Sequence, residues 1–299
     1  MERSPTTISN ELFRNQVRGT YDSQKAHHKA YVRRKYAKYQ GMKIVYHNAL
    51  QKEIVSRLYD DQSPEAIAGY IRHTRLLPSI SKNAIYRFIT SIYGRRIEAY
   101  RMKKRTRHSR LHTKKAGLVN RTFIDKRPAT IGARRRIGDA EADFIVSGKS
   151  GKGVLLVVVD RKSRIVFIEQ IIRVNIPNVH ATLLRIKARF PEMRSLTMDN
   201  DILFSNHEEL AKLLEVKIYF CHPYHSWEKG TVENTNKVIR RDIPKGSDIS
   251  QYSKRFIEAL ERKLNRRPMK CLDYRSPQEI LDASRRKRNK KHRLERCPD

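Results

Sequence analysis

The sequence is poor in acidic residues, in cysteine and in long apolar runs, and each shortage narrows what the protein can be. The 299 residues carry 31 Asp and Glu against 65 Lys and Arg, a net charge of +34, which argues against an ordinary metabolic enzyme and indicates a polyanionic partner. The longest apolar run, 153–159, is far below the roughly 18–20 residues that cross a bilayer, and the start does not resemble a signal peptide. Three cysteines fit neither a disulfide framework nor a zinc module, and a zinc site at Cys221, His222 and His225 lacks a visible fourth ligand. We therefore expect a protein of a reducing compartment that binds nucleic acid and no membrane.

The basic residues are concentrated outside the middle of the chain. Residues 1–138 hold 32 basic and 9 acidic side chains, whereas 139–283 hold 25 and 20 and are nearly neutral. Within the first part, 94–136 carries 16 basic and 2 acidic residues with little periodicity and is predicted to be a basic linker. Residues 284–299 form a basic tail without apolar periodicity, which predicts an unstructured segment that is either solvated or in contact with DNA phosphates.

Residues 21–93 predict a helical DNA-binding region that ends in a helix-turn-helix at about 63–93. Ser63 and Ser81 are good N-caps, and Pro64 takes the first helical position after Ser63. Helical spacing predicts that the second helix packs through Ile85, Phe88, Ile89 and Ile92. Its outward side is predicted to contact DNA through Lys82, Asn83, Tyr86 and Arg87. The alternative is a small helical bundle with a charged face.

Residues 137–283 alternate between strands and helices. Three strands, ending near residues 146, 160 and 171, are followed by a helix, a strand at 196–199, a helix, a strand at 216–221 and further helices. Asn178 is predicted to cap the first of these helices, and Ser276 with Glu279 forms a capping box for a last short helix. This is the element order of the α/β ribonuclease-H-like fold, although many α/β domains approximate it.

Three acids in this part are placed where that fold brings chain segments together. Asp143 lies on the first strand, Asp199 ends the fourth strand, and Glu233 lies about one turn into the helix after the fifth. Carboxylates held together repel one another unless a cation neutralises them, and Mg²⁺ or Mn²⁺ suits such oxygen ligands. Two such ions about 4 Å apart activate a water or a 3′-hydroxyl for in-line displacement at phosphorus.

Taken singly, each of these acids is better explained as a capping or solvated residue. Other acids nearby are interpreted as secondary: Asp139, Glu141, Asp160 and Asp201. Asp201 is the chief rival of Asp199 for the second position.

The local sequences around the three acids resemble the insertion sequence 30 family of bacterial transposases. The matching segments are IGDAEAD at 137–143, LTMDN at 196–200 and HPYHSWEKGTVENTN at 222–236, and 33 residues separate Asp199 from Glu233 as in that family. Further matches lie at 63–69, 84–89, 159–164, 244–250 and 264–268. The resemblance implies a DD-E transposase with a retroviral-integrase-like catalytic core. Such an enzyme binds the terminal inverted repeats of its element, cleaves at the ends and joins strands to target DNA, as a homo-oligomer.

The resemblance also implies roles for single residues. Asp143, Asp199 and Glu233 would be catalytic and would hold two Mg²⁺ or Mn²⁺ ions. DNA contacts are expected around Glu233, from residues that flank it or share its helix face: Asn234, Asn236, Lys237 and Arg240. For the two cations the alternative is a solvated helix face.

Residues 1–15 resemble the recognition helix of the family's first helix-turn-helix, so the chain is expected to begin inside a remnant of that domain, at 1–20. The chain has Asp201, Ala140 and Ala142 where the family usually has Gly, Trp and Gly. An alternative function is therefore a catalytically impaired or truncated transposase that acts only as a DNA-binding protein, and a weaker one is a structural RNA-binding protein. We expect a bacterial, cytoplasmic, nucleoid-associated protein.

Overall fold

The chain folds into a helical N-terminal region followed by an α/β core. The computed structural model describes residues 3–16, 19–37, 42–103, 120–148, 151–222 and 226–296. The first region contains α1 (Pro5–Asn15), α2 (Ser23–Ala37), α3 (Met42–Tyr46), α4 (Asn48–Tyr59), α5 (Pro64–Thr74), α6 (Lys82–Ile89) and α7 (Arg95–Lys103). One apolar core joins α3 to α7, and its fully buried side chains include Ile44, Leu50, Ile67, Ile85 and Phe88.

Helices α5 and α6 begin where their serine caps predict. Ser63 Oγ accepts the N–H of Ala66 and Ser81 Oγ accepts the N–H of Ala84, each at 3.2 Å. The predicted packing of Ile92 is wrong, because α6 ends at Ile89 and the Ile92 side chain is 65% exposed. That this helix pair is a DNA-reading helix-turn-helix stays a prediction.

The segment predicted to be a linker starts with a helix. Helix α7 packs beside α4, where the rings of Tyr59 and Tyr100 lie 5.1 Å apart and the Tyr100 hydroxyl donates to the Tyr59 carbonyl. Ile97 and Tyr100 lie one turn apart, so α7 has an apolar side in spite of its charge. Residues 104–119 of the predicted linker lie outside the described residues. A short helix, α8 (Ala129–Gly132), precedes the core.

The core contains one mixed sheet. Its strands are β1 (Asp139–Val146), β2 (Val154–Asp160), β3 (Val166–Ile171), β4 (Ser195–Met198) and β5 (Lys217–Phe220). They lie in the order β3-β2-β1-β4-β5, antiparallel among the first three of the chain and parallel from β1 to β4 and from β4 to β5. This is the arrangement of a ribonuclease-H-like fold, so the fold class predicted for the core is confirmed.

Helices cover both faces of the sheet. Helices α9 (Ile176–Arg189) and α10 (His207–Leu214) pack on one face through Val179, Leu183 and Leu210. Helices α11 (Gly230–Ile239) and α12 (Lys254–Asn265) pack on the other through Val232, Ile257 and Leu260. Strand β2 is buried along its whole length, as expected for a strand that is covered on both sides.

The cap of α9 differs from the prediction. Asn175, not Asn178, is the N-cap, and its side-chain oxygen accepts the N–H of Asn178 at 2.8 Å. Pro177 explains the shift, because proline fits the first turn of a helix, where no intrahelical donor is needed. The helix therefore starts before the proline.

The last helix is longer than predicted. The capping box is confirmed, since Ser276 and Glu279 bond to each other's backbone N–H groups. Helix α13 (Pro277–Arg296) then continues through most of the predicted unstructured tail, and Arg285 and Arg288 both pair with Glu192 at 3.0 Å. Residues 297–299 lie outside the described residues. Within the described ranges, no helix is long and apolar enough to cross a membrane.

The helical region contacts the core at the segment before α13. A Cβ atom on Gly69 of α5 would lie 2.0 Å from the ring of Tyr274, so the ring occupies the space that a side chain would need. Close by, Lys263 of α12 pairs with Asp61 at 2.5 Å. These contacts hold α5 against the α12 side of the core.

Candidate active site

Strand β1 carries three acids on one face. Asp139, Glu141 and Asp143 alternate with Ala140 and Ala142, and successive side chains of a strand point to opposite faces. The two alanines are fully buried in the core shared with α9 and α10. The acids therefore point toward α11, at a strand that lies between β2 and β4.

Asp143 and Asp199 converge on one ammonium group. Asp199 directly follows β4, which runs parallel beside β1. Lys229 Nζ lies 3.0 Å from Asp143 Oδ1 and 3.8 Å from Asp199 Oδ2. The Lys229 side chain is only 5% exposed, whereas each aspartate keeps about a fifth of its side chain exposed. The two carboxylates predicted to be neighbours therefore share a nearly buried cation.

The charges in this cluster shift one another's pKa values. Burial raises the pKa of the Asp143 carboxyl, Lys229 acts to lower it and Asp199 raises it further. Burial alone would lower the pKa of Lys229, but the carboxylates of Asp143 and Asp199 together outweigh it and the pKa is raised. Lys229 is therefore charged and is the counter-ion of the aspartate pair.

Helix α11, which carries Glu233, contacts this edge of the sheet. Asn236 Nδ2 donates to Asp143 Oδ2 at 2.8 Å, so this side of α11 faces Asp143. Glu233 lies three residues before Asn236, the spacing of side chains on one helix face. The half-buried Glu233 therefore shares a face of α11 with a residue that contacts Asp143.

Glu141 fixes the start of this helix. One carboxylate oxygen accepts the N–H groups of Thr231 and Val232, each at 3.0 Å, and the other pairs with the buried Arg161 at 2.5 Å. A carboxylate at a helix N-terminus satisfies donors that have no intrahelical partner and meets the positive end of the helix dipole. The acid two residues before Asp143 therefore positions the helix that carries Glu233.

The other secondary acids hold loops and strand ends. Asp139 binds Arg136 through both carboxylate oxygens. Asp160 accepts the N–H groups of Gly138 and Ser163. Asp201, the predicted rival of Asp199, accepts the N–H of Leu203 at 3.1 Å and so caps a short 3₁₀ helix at Ile202–Phe204.

The oxygen donors at this edge fit the predicted divalent cation. Asp143 and Asp199 already converge on one cation, and the buried Oδ1 of Asn236 has no hydrogen-bond partner in the described part of the chain. Carboxylate and amide oxygens are ligands that hard cations take. Among the described residues, no three His, Cys, Asp or Glu side chains are grouped closely enough to hold a metal ion, and Lys229 stands between the aspartates. The described residues therefore hold an ammonium group where the sequence predicts a metal, and binding of a divalent cation by these oxygens stays a prediction.

The zinc alternative finds no support among the described residues. His222 bonds through its two ring nitrogens to Asp125, at 2.7 Å, and Glu228, at 3.0 Å. The hydrogen bond with Glu228 and the charge of Asp125 raise the pKa of His222, which favours an imidazolium. His225 lies outside the described residues.

The DNA-contact residues predicted on α6 lie on its exposed side. Lys82, Asn83, Tyr86 and Arg87 are exposed, while Ala84, Ile85, Phe88 and Ile89 are buried. Lys82 Nζ lies 3.6 Å from Glu65 of α5. The surface therefore has the orientation that the sequence predicts, and its contact with DNA stays a prediction.

The DNA-contact residues predicted on α11 differ in their surroundings. Asn234 and Lys237 are exposed, whereas Asn236 is directed at Asp143. Arg240 donates to the carbonyls of Val146, at 3.1 Å, and Pro244, at 3.2 Å, and so ties the end of α11 to the end of β1. DNA contact by these four residues also stays a prediction.

Sequence reasoning did not assign a role to Lys229, although it lies within the matched motif. Its partner Asp143 is 86 residues away along the chain, so the pairing depends on the fold. The available signal is its position one helical turn before Glu233, which places a cation next to the acids.

A mixed sheet of this order, with an aspartate pair and a glutamate-bearing helix at one edge, defines a ribonuclease-H-like core with an acidic site. No protein-family profile matches the chain. The transposase for insertion sequence element IS4351 from Bacteroides fragilis is 36% identical over 282 residues, which cover 92% of this chain and 85% of that protein. The transposase InsI for insertion sequence element IS30A from Escherichia coli (strain K12) is 33% identical over 298 residues, covering 94% of this chain and 76% of that protein. The chain therefore belongs to the insertion sequence 30 (IS30) family of transposases, as its motifs indicate.

The chain is also similar to a third transposase and to an integrase core. The transposase for insertion sequence element IS1086 from Cupriavidus metallidurans is 30% identical and covers 93% of this chain and 86% of its own length. The crystal structure of the catalytic core domain of BIV integrase aligns with 50% of this chain and 97% of its own, at 19% identity and a TM-score of 0.39.

Proposed function

We propose that this chain is a metal-dependent DD-E strand transferase that cleaves DNA at the ends of its insertion sequence and joins them to target DNA. Asp143, Asp199 and Glu233 are the catalytic residues and the ligands of two Mg²⁺ or Mn²⁺ ions. The substrates are the terminal inverted repeats of the element and a target duplex. The enzyme works as a homo-oligomer on DNA, in the bacterial cytoplasm at the nucleoid.

The observation that carries this proposal is the meeting of Asp143 and Asp199 at Lys229, with Glu233 one helical turn away. Two strands supply the aspartates to one sheet edge, and α11, which carries Glu233, contacts Asp143 through Asn236. Carboxylates placed together in this way are costly unless a cation neutralises them. The membership of the transposase family supplies a reaction that uses such a site.

The residues around the acids prepare the site for a phosphodiester. Two bound cations supply charge stabilisation and activation of a water or 3′-hydroxyl. Glu141 and Arg161 hold the start of α11, so Glu233 is carried by a fixed helix. Asn236 orients the Asp143 carboxylate, and Lys229 provides a cation beside the reacting phosphate after it leaves the aspartates.

The alternative of a DNA-binding chain without catalysis is not favoured. All three acids are present. Asp201, which stands where the family usually has Gly, caps a short helix. The relatives that match nearly the whole chain are named as transposases.

A strand-transfer assay tests the proposal. The DNA is a duplex that carries the terminal repeat found beside the gene, with Mg²⁺ or Mn²⁺ and a supercoiled target plasmid. We expect joined product from the wild type and a rate at least roughly 100-fold lower for Asp143→Asn and Glu233→Gln, because metal-ion stabilisation is worth several kcal/mol.

The matched control is Asp201→Asn, which removes the same charge from the rival acid and is expected to keep most of the activity. DNA binding by all four proteins is measured in parallel. Binding without nicking by the wild type in either metal would overturn the catalytic proposal and favour the DNA-binding alternative.

A further inference from the structure

A cavity lies beside α11, on a side of the helix different from the one that carries Glu233. Its volume is about 370 Å³. Its polar lining includes Thr231, Asn234 and Thr235 of α11. Four arginines complete the wall: Arg134, Arg164, Arg241 and Arg267. Among the described residues that line the cavity there is no carboxylate, so the site concentrates positive charge.

These guanidinium groups have no acidic partners within the described residues. The ion pairs of that part of the chain engage other arginines, such as Arg136 with Asp139 and Arg161 with Glu141, and none engages the four in the cavity. Burial and nearby Arg241 lower the pKa of Arg267 against a smaller opposing effect of Asp61. Burial and Arg164 lower the pKa of Arg134 against a smaller opposing effect of Glu141. The cavity therefore holds like charges that repel one another until an anion enters.

One of the four is held in place by α11 itself. Arg164 Nη1 donates to Thr231 Oγ1 at 2.9 Å, so its guanidinium is fixed at the start of the helix. Thr231 is the residue whose N–H is bound by Glu141. The cavity and the acidic site thus share one anchored helix end.

The position of the cavity relates it to the acidic site. With 3.6 residues per turn, Asn234 and Val238 lie roughly a third of a turn around α11 from Glu233. A helix with its side chains is about 10–12 Å across, which is about three nucleotides of a strand at 3.4 Å each. One DNA strand can therefore reach both sites.

We propose that the cavity lined by Arg134, Arg164, Arg241 and Arg267 binds a backbone phosphate of the DNA strand that passes the acidic site. Guanidinium groups suit this ligand because they bind phosphate oxygens through two parallel hydrogen bonds. The inference rests on the proposed function for the identity of the strand. The cavity adds a phosphate contact outside the residues predicted from the sequence, apart from Asn234.

DNA binding without metal tests this proposal separately from catalysis. Fluorescence anisotropy with a labelled 30-base-pair duplex, in EDTA and over a series of salt concentrations, compares the wild type with Arg241→Gln, Arg267→Gln and the double variant. Loss of the one phosphate contact in the double variant is expected to reduce the slope of log affinity against log salt by about 0.9 and to weaken binding roughly three- to tenfold, with smaller changes in each single variant. Thermal unfolding of each variant checks that it is folded.

The matched control is Arg255→Gln, which removes one exposed arginine from the first turn of α12, outside the cavity. Its salt slope is expected to equal that of the wild type. Cavity variants that behave like Arg255→Gln would overturn the proposal. If inorganic phosphate raises the unfolding temperature of the wild type but not of the double variant, while DNA binding is equal, the ligand is a free anion and the DNA proposal is wrong.

The two proposals fail in different ways. Weaker DNA binding by the cavity variants, together with a wild type that never nicks DNA, would remove the catalytic function and leave the cavity as a phosphate site. Unchanged binding by the variants of an active wild type would remove the cavity alone.

Discussion

Among single residues, Lys229 is the one that holds the two aspartates of the site together. Two carboxylates and one ammonium share a space with little water, where an unpaired charge costs far more than in solution. The lysine keeps the aspartates together, and the proposed divalent cation would compete for the same oxygens. The site is therefore organised before any cation binds.

Replacing this lysine tests that account. Lys229→Met is expected to lower the metal-free unfolding temperature by roughly 5 °C, because about 2 kcal/mol is lost when the aspartates face each other without a partner. Added Mg²⁺ should raise the unfolding temperature of the variant more than that of the wild type. The measurement is calorimetry with and without the metal.

Lys237→Met is the control, since Lys237 is exposed on the same helix, and its unfolding temperature should change by only about 1 °C. Equal responses to Mg²⁺ in Lys229→Met and the wild type would show that lysine and metal do not compete.

Cys221 provides a second single-residue prediction. Burial raises the pKa of its thiol to about 12, whereas Cys271 is exposed. Because the thiolate is the reactive form, Cys221 should resist an aromatic disulfide reagent at pH 8. In a Cys297→Ser background, we expect one fast-reacting thiol in the folded chain and two after denaturation.

Adding Cys271→Ser should remove the fast reaction. A fast thiol that remains in that variant would place Cys221 within reach of solvent and contradict its burial.

The three acids could be proposed from the sequence at the level of residues, but their partners could not. Asp143, Asp199 and Glu233 stand in segments with recognisable local sequence, and spacing and motif single them out as candidates. Lys229 and Arg161 act through contacts with β1, and cations are abundant in a chain of this composition. Nothing local distinguishes a buried lysine from a solvated one.

Among helices and strands, α11 is the element on which the site depends. Its start is bound by Glu141, its middle faces Asp143, and its end is tied to β1 by Arg240. A helix held at both ends positions Glu233 more firmly than packing alone. The anchoring of α11 therefore affects the position of the proposed catalytic glutamate as well as the stability of the fold.

Loss of the Glu141 anchor at the start of α11 should lower both the stability of the protein and its activity. Glu141→Gln leaves the buried Arg161 without its counter-ion, and breaking a buried pair costs about 3–5 kcal/mol. We expect a lower free energy of unfolding in urea and a lower strand-transfer rate in the variant that remains folded.

Glu53→Gln is the comparison, because it breaks the partly exposed pair with Arg57 on α4. Its cost should be no more than about 1 kcal/mol. Similar costs for the two variants would mean that Glu141 does not anchor α11.

Element types and their order could be predicted for the core, and the boundaries less well. The apolar runs of β2 and β3 and the serine caps of α5 and α6 are local signals, and the structure follows them. The cap of α9 was misplaced because two asparagines flank Pro177, and only the proline rule separates them. The length of α13 was underestimated because its charges find a partner in Glu192, far along the chain.

For the molecule as a whole, the net charge of +34 has two distinct uses. The front half and α13 present a basic surface to a polyanion, while the nearly neutral core places its acids at one sheet edge. The contact between α5 and Tyr274 joins the two parts into one arrangement. The DNA-binding surface predicted on α6 is thereby held relative to the acidic site.

The contact between Gly69 and Tyr274 predicts that a Gly→Ala substitution destabilises the protein, the opposite of its usual effect in a helix. Alanine normally stabilises the interior of a helix relative to glycine by about 1 kcal/mol. Gly69→Ala is expected to destabilise by roughly 1–3 kcal/mol instead, because its Cβ would overlap the Tyr274 ring. Urea unfolding measures the difference.

The double variant with Tyr274→Ala is the control. In that background Gly69→Ala should become neutral or stabilising, since the two residues are coupled. A destabilisation that persists without the tyrosine ring would show that α5 does not rest on Tyr274.

The most direct test of the central claim is Mn²⁺ binding, followed by electron paramagnetic resonance, to the wild type and to four single-charge variants. We predict that Asp143→Asn, Asp199→Asn and Glu233→Gln each weaken binding at least about tenfold, and that Asp201→Asn leaves it unchanged. Equal binding by the first three variants and the wild type, or an equal loss in Asp201→Asn, would contradict the assignment of the metal site.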